Sequence, residues 1–109
     1  MPRQPKVLAE IICRGEIERG LIQELQTVGD GDLKSKTIVS RVSMEYHRSG
    51  ILPDKRHDDK VQFPSDGFGP TLQLVFGILK HVLEEVGGNI FRFAMVDRTM
   101  ILRAVLPMQ

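Results

Sequence analysis

The chain has 109 residues, 15 Lys and Arg against 14 Asp and Glu, a formal net charge of +1, and 41% hydrophobic residues. That length suits one domain with a single modest core, and the balanced charge supplies no global field to draw nucleic acid or an acidic membrane surface. One cysteine, Cys13, excludes an intramolecular disulfide and argues against a thiolate zinc site.

Cysteine usage suits a reducing compartment. No run reaches the ~18 apolar residues of a membrane span, and the opening MPRQPKVLAEIICRG is too short and too charged for a signal peptide. The chain therefore reads as cytoplasmic, a single domain over 1–109.

Residues 1–5 read as a loose arm. Lys6–Arg14 (KVLAEIICR) predicts a strand with Val7, Ala9, Ile11 and Cys13 on one face, punctuated by Gly15. A helical grouping of Val7, Leu8, Ile11 and Ile12, or one helix over 6–28, competes with it. Glu16–Val28 predicts a helix through Ile17, Leu21, Leu25 and Val28. Glu16 and Glu18 suit its first turn, and Gly20 weakens it by ~1 kcal/mol relative to Ala.

Gly29-Asp30-Gly31-Asp32 reads as a turn, with too few acidic ligands for a calcium loop. Lys36–His47 (KTIVSRVSMEYH) alternates Ile38, Ser40, Val42, Met44, Tyr46 against Thr37, Val39, Arg41, Ser43, Glu45, a strand pattern. Residues 48–69 form the least regular stretch, in which only Lys60–Phe63 suits a short edge strand. Loops longer than ~12–15 residues are usually functional or mobile, so a binding segment is sought there first.

From Gly67 to Pro107 the pattern sharpens. Leu72, Val75, Phe76, Leu79, Val82, Leu83 and Val86 make one helical stripe. Gly69 serves as its N-cap, Pro70 occupies N1, and Gly87 or Gly88 takes the C′ position. Two apolar strands follow, Asn89–Val96 and Thr99–Leu106, turning at Asp97-Arg98. Arg92 and Arg103 give each strand a wetter face. Leu74 and Ile78 lie off the stripe, near Thr71, His81 and Glu85. Either the first turns are buried on two sides, or Leu74, Ile78, His81 and Glu85 form a second face for another copy or a partner.

These elements predict an α+β fold: a small two-layer sandwich with a mostly antiparallel sheet of about four or five strands and two helices packed on one face.

No catalytic constellation emerges. Lys34, Lys36, Arg41, Arg48, Lys55 and Arg56 make a basic cluster with Tyr46 available for stacking, a candidate nucleic-acid surface; solvated surface charge is the competing account. His57-Asp58-Asp59, and His81 with Glu84 and Glu85, fall short of the three or four ligands a metal needs. Cys13 has no local signature of a nucleophile. Gly67-Phe68-Gly69 before a helix is a generic anion cradle without a Walker lysine. No cofactor is implied.

The segment Gly77–Pro107, with Gly87-Gly88 after a helix and Leu106-Pro107 closing a hairpin, resembles the last helix and hairpin of the ATP-binding domain of sensor histidine kinases. Gly67 and Gly69 lie several residues too early for that family's glycine-rich motif. The asparagine-bearing helix and the Asp-x-Gly-x-Gly motif have no counterpart here. The resemblance implies a degenerate, non-catalytic relative, and no functional residue is carried over from it.

The expected function is a non-enzymatic regulatory or adaptor domain that acts through protein contacts and self-associates, helped by an unpaired sheet edge near the C-terminal strands. The alternative is a small nucleic-acid-binding protein using the 34–56 basic segment.

Overall fold

The computed structural model describes residues 6–28, 35–50, 55–64 and 70–106. Six strands form one antiparallel sheet: β1 (Lys6–Glu16), β2 (Leu21–Val28), β3 (Lys55–Arg56), β4 (Lys60–Gln62), β5 (Asn89–Val96) and β6 (Thr99–Leu106), in the order β3-β4-β2-β1-β6-β5. Two helices complete the α+β fold, α1 (Ser35–Arg48) and α2 (Leu72–Glu84). The sheet thus has six strands where four or five are expected. The surplus comes from the irregular 48–69 stretch, which holds two short strands rather than one. Within it β4 is covered by β3 and is not an edge.

Three single-residue bulges shape the sheet. Val7 faces Val105 and Ala9 faces Ala104, leaving Leu8 extra on β1. Arg14 faces Glu24 and Gly15 faces Ile22, leaving Gln23 extra on β2. Arg92 faces Leu102 and Ala94 faces Ile101, leaving Phe93 extra on β5. Each breaks the period of two and increases local twist.

The strand expected at Lys6–Arg14 is present and runs on through Gly15 to Glu16. Ala9, Ile11 and Cys13 are buried as expected; Val7 is exposed and Leu8 takes its place in the core, because of the first bulge.

The helix expected over Glu16–Val28 is not formed. A short 3-10 turn at Ile17–Arg19 leads to Gly20, whose left-handed φ of 72° ends it, and the chain enters β2. The buried residues of β2 are Ile22, Leu25 and Thr27. The extra Gln23 stretches the first interval from two residues to three, so a bulged strand imitates helical spacing.

The opposite exchange occurs at Lys36–His47, where the expected strand is α1. Its buried residues are Ile38, Val39, Val42, Ser43 and Tyr46, a helical i, i+1, i+4, i+5, i+8 stripe. Met44, on the apolar face of the strand reading, is exposed. Ile38, Val42 and Tyr46 satisfy both periods at once.

The α2–β5–β6 unit follows expectation in its bounds. Its N-cap is Thr71, not Gly69: the Thr71 Oγ1 accepts a hydrogen bond from the Leu74 N–H at 3.1 Å, and Pro70 lies ahead of the helix. Gly69 itself falls outside the described residues. The entry is pinned to β2, with Ile22 N–H donating to Pro70 O at 3.0 Å and Leu72 N–H to Gly20 O at 2.7 Å. At the exit Gly88 N–H donates to Leu83 O at 2.8 Å and Gly87 N–H to Glu84 O at 3.2 Å, a Schellman closure. Val86, placed on the stripe by its spacing, lies in that turn and is exposed.

Both helices bury side chains in one cluster with alternate strand residues, among them Ile11, Leu25, Val61, Met100 and Leu102. The intervening residues face the other side. There Glu10 accepts from Arg103 Nε at 3.0 Å, and Glu24 accepts from Gln62 Nε2 at 2.9 Å and from Arg14. Burial raises the Glu24 carboxyl, but the hydrogen bonds from Gln62 and Arg14 and the charges of Arg14 and Lys60 outweigh it and hold the group below the usual carboxylate range.

Candidate functional site

Two surfaces stand out, one between the helices and one along the sheet edge. The first is a groove of about 490 Å³ between α1 and α2, lined by Leu74, Gly77, Ile78 and Val82 with Arg41, Glu45 and His81 at its rim. Of the four residues singled out from the sequence for a partner face, Leu74, Ile78 and His81 line it. Leu74 is partly buried against the core and His81 is exposed. Glu85 is held by a bidentate pair from Arg41, with N–O distances of 3.1 and 3.0 Å, which ties α1 to α2. That pair lowers the Glu85 carboxyl and raises the Arg41 guanidinium, in both cases first through its hydrogen bonds and then through the partner's charge.

For Ile78 the first of the two sequence alternatives, burial on two sides, applies. The residue is only 7% exposed and belongs to the core cluster, so the helix is buried on two sides at that point. The second wall is α1, a segment whose alternation predicts a strand. Gly77 is the unexpected member. It lies in the middle of α2, and a Cβ built on it would meet nothing within 4 Å. Packing among the described residues therefore does not call for glycine there.

The second surface is β5. Among the described residues it pairs only with β6 and forms one edge of the sheet. Phe91, Phe93, Met95 and Val96 are 41, 49, 54 and 65% exposed. The Arg103 guanidinium lies 3.4 Å from the Phe93 ring centroid, and the same Arg103 pairs with Glu10, so a Glu–Arg–Phe stack holds that ring in place. Met95 also borders a hollow of about 380 Å³ formed with Ile17, Arg19 and Arg98. Sequence reading places these side chains on apolar strands but not their exposure, because an apolar run looks the same at an edge as in a core. The available signal is Arg92, a charge within an otherwise apolar strand.

The basic candidates do not gather into one free patch. Lys34 lies outside the described residues. Lys36 is exposed on α1, and Lys55 and Arg56 are exposed on β3 at the opposite sheet edge. Arg41 is engaged with Glu85, and Arg48 pairs with Glu45 at 3.2 Å. Tyr46, the residue expected to stack on a base, is fully buried, with its ring edge-on to Phe63 at 4.7 Å.

Cys13 is fully buried, and burial pushes its thiol up to about 12, away from nucleophilic use. Among the described residues no three His, Cys, Asp or Glu side chains converge as metal ligands. No described helix is long and apolar enough to cross a membrane. The Gly29–Asp32 turn and the Gly67-Phe68-Gly69 cradle fall outside the described residues.

Comparison with protein-family profiles, with characterised proteins and with solved structures finds no significant match.

Proposed function

We propose that this chain is a non-enzymatic regulatory or adaptor domain that acts in the cytoplasm through protein contacts, including contacts with its own kind. The observation that carries the reading is the β5 edge, an eight-residue strand presenting four large apolar side chains to solvent. Edge strands usually carry charges, proline or a cover, because their free N–H and C=O groups invite pairing. This one has a single internal charge, Arg92. The groove between α1 and α2 adds a second surface, concave and partly apolar, on the same molecule.

The test is the solution mass by light scattering over a dilution series. Self-association gives masses above the 12.3 kDa monomer that fall on dilution. A constant 12.3 kDa at every concentration overturns it.

Nucleic-acid binding is the second reading. It rests on Lys36, Lys55 and Arg56, without the stacking of Tyr46 and with Arg41 and Arg48 committed to ion pairs. Its signature is affinity that falls steeply with salt.

A further inference from the structure

We infer that the self-association proposed above runs through β5, which pairs antiparallel with β5 of a second copy so that one continuous sheet crosses both molecules. The inference rests on the reading of the chain as a self-associating interaction domain and names the surface and the occupant.

An edge strand offers a ladder of backbone donors and acceptors, so its natural occupant is another extended strand rather than a helix. The two edges of this sheet are unlike. The β3 edge is two residues long, Lys55-Arg56, both exposed and both charged, the usual way of discouraging pairing. The β5 edge is eight residues long and apolar. Pairing β5 with β3 of the next molecule would set an apolar strand against a short charged one and would repeat without end. Pairing β5 with its own copy closes a two-fold dimer and leaves only the charged β3 edges outside.

Area supports the same occupant. A covered aromatic side chain hides about 150–250 Å². At the observed exposures the four apolar side chains offer on the order of 400 Å² per copy, divided between the two faces of the edge, with Phe91 beside Arg103 and Met95 beside Met100. Two copies, with backbone and flanking residues added, reach roughly 1,200 Å², the lower end for specific association. That size fits a dimer that dissociates on dilution. The Arg103–Phe93 stack holds one apolar ring in place in the free molecule, which reduces what binding must order. The Phe93 bulge and Arg92 limit how far the pairing runs, and so favour a defined dimer over open-ended aggregation.

The experiment combines cross-linking with edge-blocking variants. The native thiol is buried, so single cysteines introduced as Phe91→Cys, Phe93→Cys or Met95→Cys report only on β5. At least one of them forms an intermolecular disulfide under mild oxidation, and a Leu74→Cys control in the groove does not. Met95→Lys with Val96→Lys weakens dimerisation more than about tenfold, with an unchanged circular dichroism spectrum as the check that the fold survives. If the double variant dimerises like the parent while Leu74→Glu does not, self-association stands but runs through the groove, and the β5 pairing is overturned. If the parent is monomeric at every concentration, both ideas fail together.

Discussion

Gly15 sits on β1 beside the Gln23 bulge at a φ of 152°, and a Cβ there would come within 2.6 Å of Leu21 O and 2.7 Å of Gln23 N. Both are backbone atoms in a paired strand, so nothing nearby can swing aside. Gly15→Ala is expected to cost about 2–4 kcal/mol, read from urea denaturation; a loss within about 0.5 kcal/mol would mean that the bulge relaxes freely. Cys13, two residues earlier, makes a prediction about pH. Its thiol is raised from 9.0 to about 12 by burial, and Tyr46 is raised by burial and then by the neighbouring Cys13. Between those thiol values the unfolded chain has released a proton that the folded chain keeps. Stability is therefore independent of this group below about pH 9 and falls by about 1.4 kcal/mol per pH unit above it. Cys13→Ala should remove that early alkaline slope. Urea midpoints near pH 8 and pH 10 for both proteins decide the matter, and identical slopes would refute the assignment.

At the scale of elements, what was readable depended on whether local pattern and tertiary setting agreed. The α2–β5–β6 unit was readable because its apolar stripe, Gly87-Gly88 stop and Asp97-Arg98 turn all point to one structure. β2 and α1 were not, because each carries the other's period: Gln23 opens a three-residue interval in a strand, and Ile38, Val42 and Tyr46 fit alternation as well as helical spacing. Only tertiary partners separate the two: the neighbouring strands that set Cys13 and Val61 on either side of Leu25, and the Phe63 ring against Tyr46. Leu74, Ile78 and His81 of the groove are legible from their place on the α2 wheel, whereas Gly77 and the second wall, α1, are not. Gly77 gives this scale its prediction. Mid-helix glycine is about 1 kcal/mol worse than alanine, and the site has room for the methyl, so Gly77→Ala should raise stability by about 0.5–1 kcal/mol in thermal or urea melts. No gain, or a loss, would show that the α2 backbone needs the glycine for a reason internal to the chain.

Taken as a whole, the molecule divides into a buried side and two open surfaces, and this decides which substitutions can probe association. Ile78→Glu would place a charge in the core and should lower stability by several kcal/mol, so any loss of association would reflect unfolding. Leu74→Glu, partly exposed at the groove, should leave a cooperative melt within about 1 kcal/mol of the parent. A melt of Ile78→Glu as stable as the parent would contradict the packing described.

The strand order carries a consequence for how the chain is made. β1 lies between β2 and β6, and its pairing with β6 joins Lys6 to Leu106. On the ribosome β1 is made early and can meet β2 soon afterwards, but its other side stays open until β6 emerges, after both helices and every other strand. The sheet therefore closes only once β6 is available, and the distant pairing places the chain among slow folders on the millisecond-to-second scale. During synthesis the open side of β1, with Leu8, Ile11 and Cys13 beside it, is the surface a chaperone would have to shield.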